Sequence, residues 1–184
     1  NIILTIGFWR KNKNLPLLIE VFDEIKKVFK KLKLVVVGTS HPNFPGYLEK
    51  IKEKYKNRKD IIFTGYLEDK ELEKIIKKAA LIVLPYTVST GSSGVVHIVS
   101  SFGKPIIMSM LPETEEMIKE EGFYIITVPV NNKEELKRAI IKVLKNKSLQ
   151  KRIAEKNLKA AEKQSFSKLA EKYIKIYKSL INSS

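Results

Sequence analysis

The sequence predicts an α/β domain with a Rossmann-like, doubly wound sheet of about six parallel strands, helices on both faces, and further helices at the carboxyl terminus. Two observations predict this class. Short apolar runs of strand length alternate with stretches of helical periodicity, and the connections between them are short. The chain has 184 residues, 43% of them hydrophobic, which is enough for one domain with a sizeable core. We therefore interpret residues 1–184 as a single domain.

The predicted strands are apolar runs that are too short to be helices. They are rich in isoleucine, leucine and valine, which is typical of strands buried on both faces of a parallel sheet. In chain order they are Ile2 to Ile6, Leu34 to Val37, Ile61 to Thr64, Leu81 to Leu84, Pro105 to Met108 and Tyr124 to Val128.

Apolar residues recur at helical spacing between these strands, most clearly in Leu15 to Phe29, Leu72 to Ala79 and Leu136 to Val143. Asp69 precedes the second of these stretches as its predicted N-cap. From about residue 147 the pattern is helical only, with a break near Gln164. The sequence therefore predicts an α/β core over about residues 1–146 and two terminal helices over about residues 147–184.

Composition excludes several classes of function. The chain has no cysteine, and its two histidines, His41 and His97, are isolated, so disulfides and the usual zinc-binding spacings are excluded. No apolar run is long enough to cross a bilayer, and no signal peptide opens the chain, so the cytoplasm is the expected location.

The chain is strongly basic, with 35 Lys and Arg against 20 Asp and Glu and a net charge of +15. Such charge attracts nucleic acid, anionic lipid or phosphorylated small molecules. The excess is mostly lysine spread over predicted helices, rather than arginine interleaved with aromatic residues, which favours a solvated face over a nucleic-acid surface. Peripheral contact with an anionic membrane stays open.

The segment from Leu84 to Ile107 joins a buried strand, a small-residue loop, a short helix and another strand. Its loop, Gly91 to Gly94, lets the backbone approach a ligand closely, and the free N–H groups at the helix start favour a phosphate. Ser92 and Ser93 can either cap the helix or donate hydroxyls to the ligand. Alone, the pattern equally fits an ordinary turn with an N-cap.

Loops after the other strands point to the same edge of the sheet, where ligands bind in such folds. After the first strand, Gly7 is followed by Arg10 and Lys13, and cations beside a glycine turn suit a diphosphate. Gly38 and Gly65 follow the second and third strands. Each glycine alone is an ordinary turn residue, but together they indicate a ligand site.

A series of short strings, in a fixed order, carries a family resemblance. They are Ile3-Leu-Thr-Ile-Gly7, Lys13-Asn14 with Leu17-Leu-Ile19, Leu34-Val-Val-Val-Gly38, Ile62-Phe-Thr-Gly-Tyr-Leu67, Asp69-Lys-Glu-Leu72, Ala80-Leu-Ile-Val-Leu-Pro85, Gly103-Lys-Pro-Ile-Ile107 and Glu116-Met-Ile118. Together they resemble the carboxyl-terminal, nucleotide-sugar-binding half of the GT-B glycosyltransferases, specifically the family 4 (group 1) retaining enzymes. The resemblance covers nearly the whole chain.

The resemblance implies a binding site for a nucleoside-diphosphate sugar, with no cofactor and no metal. Cations would neutralise the diphosphate, helix-start amides would bind phosphate, and backbone groups would hold the base. The implied diphosphate-binding residues are Gly7, Arg10, Lys13, Ser92, Ser93, Gly94 and Val95, the base-binding residues are Tyr66 and Leu67, and the sugar and ribose region contains Tyr86, Thr90 and Gly91.

The chain departs from the family pattern at two places. The family's two glutamates would fall at Thr90 and Ile98, so neither carboxylate is present, and recognition of ribose and hexose would rest more on Ser92, Ser93 and Gly94. The arginine that usually follows the first strand's glycine is Phe8 here, with Arg10 as a stand-in.

Several aromatic residues near this edge have two interpretations. Trp9 is either a hydrophobic plug under the first loop or a wall of the site, and Tyr86 either lines the sugar pocket or packs with an exposed hydroxyl. His41 is interpreted as a solvated loop residue. His97, next to Ile98 on a helix, is expected to face away from the site.

The function implied is that of a donor-binding half of a hexosyl-type glycosyltransferase. The full-length protein would transfer a sugar, with retention, to a saccharide or lipid-linked acceptor bound by an amino-terminal domain that this chain lacks, so the chain alone would bind donor without turning it over. One alternative is a non-catalytic nucleotide- or phosphate-binding module of the same fold. A nucleic-acid-binding domain is disfavoured because no aromatic platform accompanies the charge.

Overall fold

The structure is a computed structural model that describes residues 1–88, residues 93–164 and residue 174. Its centre is a six-stranded parallel sheet in the order β3-β2-β1-β4-β5-β6. The strands are β1 (Ile2–Ile6), β2 (Lys33–Val37), β3 (Ile61–Gly65), β4 (Leu81–Leu84), β5 (Ile106–Ser109) and β6 (Ile125–Val128). The six predicted parallel strands are confirmed, and their ends lie within one residue of the prediction.

Within the described residues, the helices follow the strands as the alternating pattern predicts. They are α1 (Leu15–Lys26), α2 (Tyr47–Lys54), α3 (Asp69–Lys78), α4 (Gly94–Ser100), α5 (Pro112–Lys119), α6 (Lys133–Lys145) and α7 (Lys147–Lys163), and a 3₁₀ turn (Lys11–Lys13) precedes α1. None of them is both long and apolar enough to span a membrane.

The sheet separates two apolar layers. Because successive strand residues point to opposite faces, Ile3 packs into one layer and Leu4 into the other. Phe22 of α1 belongs to the first layer, and Met117 of α5 belongs to the second. Helices therefore cover both faces of the sheet, as predicted.

The apolar periodicity that predicts α1 runs beyond the end of the helix. α1 buries Leu18 and Phe22 against the sheet but ends at Lys26, three residues before the predicted limit at Phe29. The amide of Val28 donates to the carbonyl oxygen of Ile25 at 3.0 Å. This three-residue spacing tightens the last turn and redirects the chain toward β2.

The predicted N-cap of α3 is wrong by one residue. Asp69 is the first helical residue, and Glu68 holds the cap position without a side-chain capping bond. Asp69 still favours the helix start, because a carboxylate in the first turn complements the helix dipole.

α7 is fastened to the domain by a buried amide. The Oδ1 atom of Asn157, a fully buried residue, accepts a hydrogen bond from the amide of Tyr124 at 2.7 Å, and its Nδ2 donates to the carbonyl of Lys104 at 3.3 Å. Gly103, at φ 61°, allows a second close approach to α7, because a Cβ there would lie 3.1 Å from a side-chain carbon of Leu158. The second predicted terminal helix lies outside the described residues.

Candidate functional site

A cavity of about 430 Å³ opens at the carboxyl edge of the sheet, where the loops after β1, β2, β3 and β4 meet the start of α4. This is the point at which the strand order reverses direction, between β1 and β4. Every described residue of the predicted site lines it: Gly7, Arg10, Lys13, Tyr66, Leu67, Tyr86, Ser93, Gly94 and Val95. The other predicted site residues, Thr90, Gly91 and Ser92, lie outside the described part of the chain.

The loops after β1 and β2 form the floor of the cavity by packing backbone against backbone. A Cβ atom at Gly38 would lie 2.0 Å from the carbonyl oxygen of Gly7, and Gly38 has φ +110°, so only glycine fits there. Trp9 is fully buried beneath this contact, and its Nε1 donates to the carbonyl of Val37 at 3.0 Å. Trp9 is therefore the plug under the loop and not a wall of the cavity.

Lys13 is a partly buried cation at the cavity wall. Its Nζ lies 3.5 Å from the centroid of the Tyr86 ring, a cation–π contact. Burial, with the neighbouring charge of Arg10 as a smaller cause, lowers the pKa of Lys13 to about 8. An anion in the cavity would raise the pKa of Lys13 again, because an opposite charge nearby favours the charged ammonium.

Tyr86 closes the cavity from below. It is only 2% exposed, its hydroxyl points to the carbonyl of Ile6 at 3.5 Å, and burial raises the pKa of its phenol. The interpretation with an exposed hydroxyl is wrong, because the loop after β4 folds back over the end of β1. Tyr86 both packs in the core and lines the cavity.

Two polar atoms beside Lys13 lack partners among the described residues. They are Nε of Arg10 and Oδ1 of Asn12, both buried, and both residues line the cavity. A buried polar atom without a hydrogen bond costs about 1–3 kcal/mol, so such groups in a cavity favour a polar ligand. None of the described lining residues carries a carboxylate.

The start of α4 faces the same cavity. Ser93 takes the N-cap position, but its side chain makes no capping hydrogen bond, and Gly94 and Val95 follow it in the cavity wall. The backbone of Ser93 therefore occupies the N-cap position, but its hydroxyl does not cap the helix. Of the two interpretations of Ser93, the one in which the hydroxyl is available to a ligand fits the structure.

His97 fixes this helix start from behind. One ring nitrogen lies 3.0 Å from the carbonyl oxygen of Ser93, and the other lies 2.6 Å from a carboxylate oxygen of Glu121. His97 therefore faces away from the cavity, as expected. Ile98, at the position of the family's second glutamate, is 47% exposed and is not part of the cavity lining, and Glu116 is exposed on α5 outside the lining.

Of the polar residues that line the cavity, the sequence interpretation missed Asn12 and His41. His41 is half-buried rather than solvated and lines the cavity, with its Nδ1 accepting a hydrogen bond from the amide of Asn43 at 3.1 Å. The rule that strand-end loops carry ligands also covers His41, because it lies three residues after Gly38.

The mouth of the cavity is apolar. Phe8, Tyr66 and Val88 line it and are 56%, 65% and 53% exposed. Cations deep in the wall with apolar and aromatic groups at the mouth suit a ligand that has an anionic end and a flat, less polar end. Among the described residues, no group of three or more His, Asp or Glu side chains could hold a metal ion.

The chain spans about half the length of its relatives. An uncharacterized glycosyltransferase of Methanocaldococcus jannaschii is 29% identical over 182 residues, which cover 96% of this chain and 45% of that protein. A glycosyltransferase from Rickettsia africae has a TM-score of 0.82 at 19% identity, over 100% of this chain and 48% of that one. HepE of Anabaena, in complex with UDP, has a TM-score of 0.79 at 14% identity, over 98% and 48%.

The structural neighbours establish a shared fold, and the family follows from the sequence. Residues 1–160 match the family described as glycosyl transferases, group 1. This match covers the whole sheet and every described residue of the cavity. The chain therefore belongs to the group 1 glycosyltransferase family.

Proposed function

We propose that the chain is the donor-binding half of a glycosyltransferase and that its cavity binds the nucleoside diphosphate of a nucleotide sugar. The observation that carries the proposal is the pair Arg10 and Lys13 in a cavity wall without a carboxylate among the described lining residues. The lowered pKa of Lys13 supports it, since the cation lacks a counter-charge that a diphosphate would supply.

The two cations have a chemical role as well as a binding role. When a sugar leaves a nucleoside diphosphate, negative charge grows on the phosphate oxygens. Fixed cations close to those oxygens stabilise the transition state more than the ground state. In this proposal Lys13 and Arg10 do that work without a metal ion, helped by the amides of Gly94 and Val95.

The base would lie at the apolar mouth. Tyr66 and Leu67 follow β3 and line this side of the cavity, with backbone groups available to the base edge and the Tyr66 ring available for stacking. HepE, which shares the fold, has been solved with UDP, with UDP and glucose, and with UDP-glucose. A uridine nucleotide is therefore the first donor to test.

The reaction of the whole protein is part of the proposal. A hexose would pass, with retention, to a saccharide or lipid-linked acceptor held by the remainder of the enzyme, because the chain corresponds to about half of its relatives. The chain alone would bind the nucleotide but would not transfer the sugar.

A non-catalytic nucleotide-binding module is the second candidate. Ile98 favours it, because an exposed apolar side chain stands where the family pattern has a glutamate and cannot hydrogen-bond to a hydroxyl. The two candidates differ only in whether the full-length protein transfers sugar.

The test is a calorimetric titration of the chain with UDP, GDP and ADP. We expect one nucleotide to bind and Lys13→Ala to weaken it about tenfold or more, since a charged hydrogen bond contributes about 1.5–3 kcal/mol. Gly94→Val should also weaken binding, because a Cβ at Gly94 meets no atom within 4 Å and the larger side chain would fill cavity space without disturbing its surroundings.

Lys11→Ala is the matched control for the charge change. Lys11 lies in the same 3₁₀ turn but does not line this cavity, so its loss should leave nucleotide affinity nearly unchanged. Equal effects at Lys11 and Lys13, or no selective nucleotide binding, would contradict the proposed site.

A further inference from the structure

A second cavity, of about 400 Å³, opens beside the first. It is lined by Lys11, Asn12, Asn14, Thr87 and Asn131, which come from the loops after β1, β4 and β6. We propose that it binds a second saccharide, separate from the nucleotide sugar. This inference rests on the proposed function, which supplies the donor next to it.

The lining has the chemistry of a saccharide site. Three carboxamides and one hydroxyl each provide both hydrogen-bond donors and acceptors, which match sugar hydroxyl groups that also do both. Lys11 is the one charged residue among the described lining residues, and no carboxylate accompanies it. The cavity thus accepts a neutral saccharide or one with an acidic substituent.

Two of the carboxamides are held in place before any ligand arrives. The Nδ2 of Asn14 donates to the Oδ1 of Asn131 at 2.9 Å and so ties the loop after β1 to the loop after β6. Both residues adopt left-handed backbone conformations, with φ 52° and 58°. A ligand can still meet the Oδ1 of Asn14, the second N–H of the Asn14 amide and the Nδ2 of Asn131.

A thin wall separates the two cavities. Asn12 lines both, and its carbonyl oxygen accepts hydrogen bonds from the amide of Thr87 at 2.9 Å and from the Thr87 hydroxyl at 3.4 Å. Thr87 faces the second cavity, whereas its neighbours Tyr86 and Val88 line the first. Because Asn12 and its bonds to Thr87 lie between the two cavities, we assign to the second cavity a molecule separate from the sugar of the donor.

Within the described part of the chain, Asn12 also carries an unpaired hydrogen-bond acceptor between the two cavities. Its Oδ1 is buried and has no hydrogen-bond partner among the described residues. Since Asn12 lines both cavities, a ligand hydroxyl in either one would supply the missing donor. Unsatisfied buried oxygens are costly, so this atom favours an occupied site.

The experiment is an amide-shift NMR titration of the UDP-saturated, full 184-residue chain with methyl glucoside, methyl mannoside, methyl galactoside and N-acetylglucosamine. We expect at least one to bind, and Asn131→Gly and Thr87→Val each to weaken it about fivefold or more. Glycine at position 131 keeps the left-handed backbone, and valine at position 87 keeps the side-chain shape. Asn57→Ala, on an exposed residue of a distant turn, is the control and should have no effect.

Affinities for UDP and UDP-glucose, measured on the same variants, separate this proposal from the previous one. We expect both affinities to be unchanged. Absence of UDP binding by the unaltered chain would count against the proposed function, and the titration without UDP would then decide the second site alone. The second-site proposal is overturned if no saccharide binds at high millimolar concentration, if both variants bind as the unaltered chain does, if UDP-glucose alone is weakened, or if inorganic phosphate alone binds there.

Discussion

At Lys13, burial and charge act against each other. The ammonium lies against the Tyr86 ring and near Arg10, and both burial and the neighbouring charge favour its neutral form. With a pKa of about 8, Lys13 is partly neutral at mildly alkaline pH in the free protein. A bound diphosphate would reverse this balance, because an opposite charge nearby raises the pKa of a lysine.

Nucleotide binding should therefore take up protons. At about pH 8.5, the free protein holds Lys13 partly deprotonated and the complex holds it charged, so the affinity for UDP should fall as the pH rises through about 8. Calorimetry in two buffers with different ionisation enthalpies measures the proton count directly. Lys13→Met should abolish the uptake, and equal uptake in that variant would assign it to another group.

The lowered pKa of Lys13 affects folding in the opposite direction to binding: stability should increase as the pH rises, whereas affinity for UDP should decrease. In the unfolded chain Lys13 has the ordinary lysine pKa of 10.5, so between about pH 8 and 10.5 the unfolded chain binds more protons than the folded one. The cost of burying this charge is fully present below about pH 8 and is relieved as the pH rises toward 10.5. A charge that is buried at a cost to stability is typical of residues at functional sites.

Single side chains also mark the limit of what the sequence predicts. Trp9 and Tyr86 each had two interpretations because their partners, Val37 and Ile6, lie 28 and 80 residues away in the chain. Local pattern identifies them as large and apolar but does not say which atoms will meet them. Arg10 and Lys13 could be assigned to the cavity without knowledge of any distant partner. They follow β1, and residues that follow a strand lie at the carboxyl edge of the sheet.

At the scale of elements, the close contact between the loops after β1 and β2 shapes the cavity floor. Gly38 permits it through both its φ of +110° and its missing Cβ. We expect Gly38→Ala to lower the free energy of unfolding by well over the roughly 1–2 kcal/mol that the left-handed backbone alone costs, because the added carbon would strike the Gly7 carbonyl.

Gly46→Ala separates the two causes. Gly46 also has a positive φ, +78°, but a Cβ there meets no atom within 4 Å, so only the backbone cost of about 1–2 kcal/mol should appear. Chemical denaturation of both variants measures the difference. Similar losses at the two positions would mean that the contact between the loops relaxes without cost.

The strands were predicted well, because a single local pattern of apolar residues determines them. Each strand is a short apolar run between turn residues, and its ends were found to within one residue. Errors occurred at the ends of helices: α1 ends before Phe29 because the chain must turn into β2, and Glu68 instead of Asp69 holds the N-cap position of α3, without a side-chain capping bond. The fastening of α7 by Asn157 had no local signal at all, since its partners lie at Lys104 and Tyr124.

At the scale of the whole molecule, the strand order explains why the candidate site lies at the carboxyl edge of the sheet. β1 and β4 are neighbours in the centre, and the chain proceeds outward through β2 and β3 on one side and through β5 and β6 on the other. The loops after β1 and β4 therefore separate and leave space at the reversal point. Both cavities open there, with the 3₁₀ turn between them.

This arrangement predicts a distinct pattern of hydrogen exchange. The amides of the inner strands β1, β2, β4 and β5 should exchange most slowly, since each of these strands is flanked by a partner on both sides, and those of the edge strands β3 and β6 should exchange faster. UDP should slow exchange in the segments 7–13, 38–41 and 66–67 and at the start of α4, because each segment contributes residues to the lining of the first cavity. α2 should not respond, because none of its residues lines that cavity.

Lys13→Met supplies the control for this exchange experiment. At the same UDP concentration its protection should be smaller than that of the unaltered chain, because stabilisation by a ligand depends on the ratio of its concentration to its Kd. Protection that instead spread evenly over both layers would indicate global stabilisation without a defined site. Protection at the amino ends of the strands would contradict the placement of the nucleotide, since only the carboxyl edge brings Arg10 and Lys13 to one cavity.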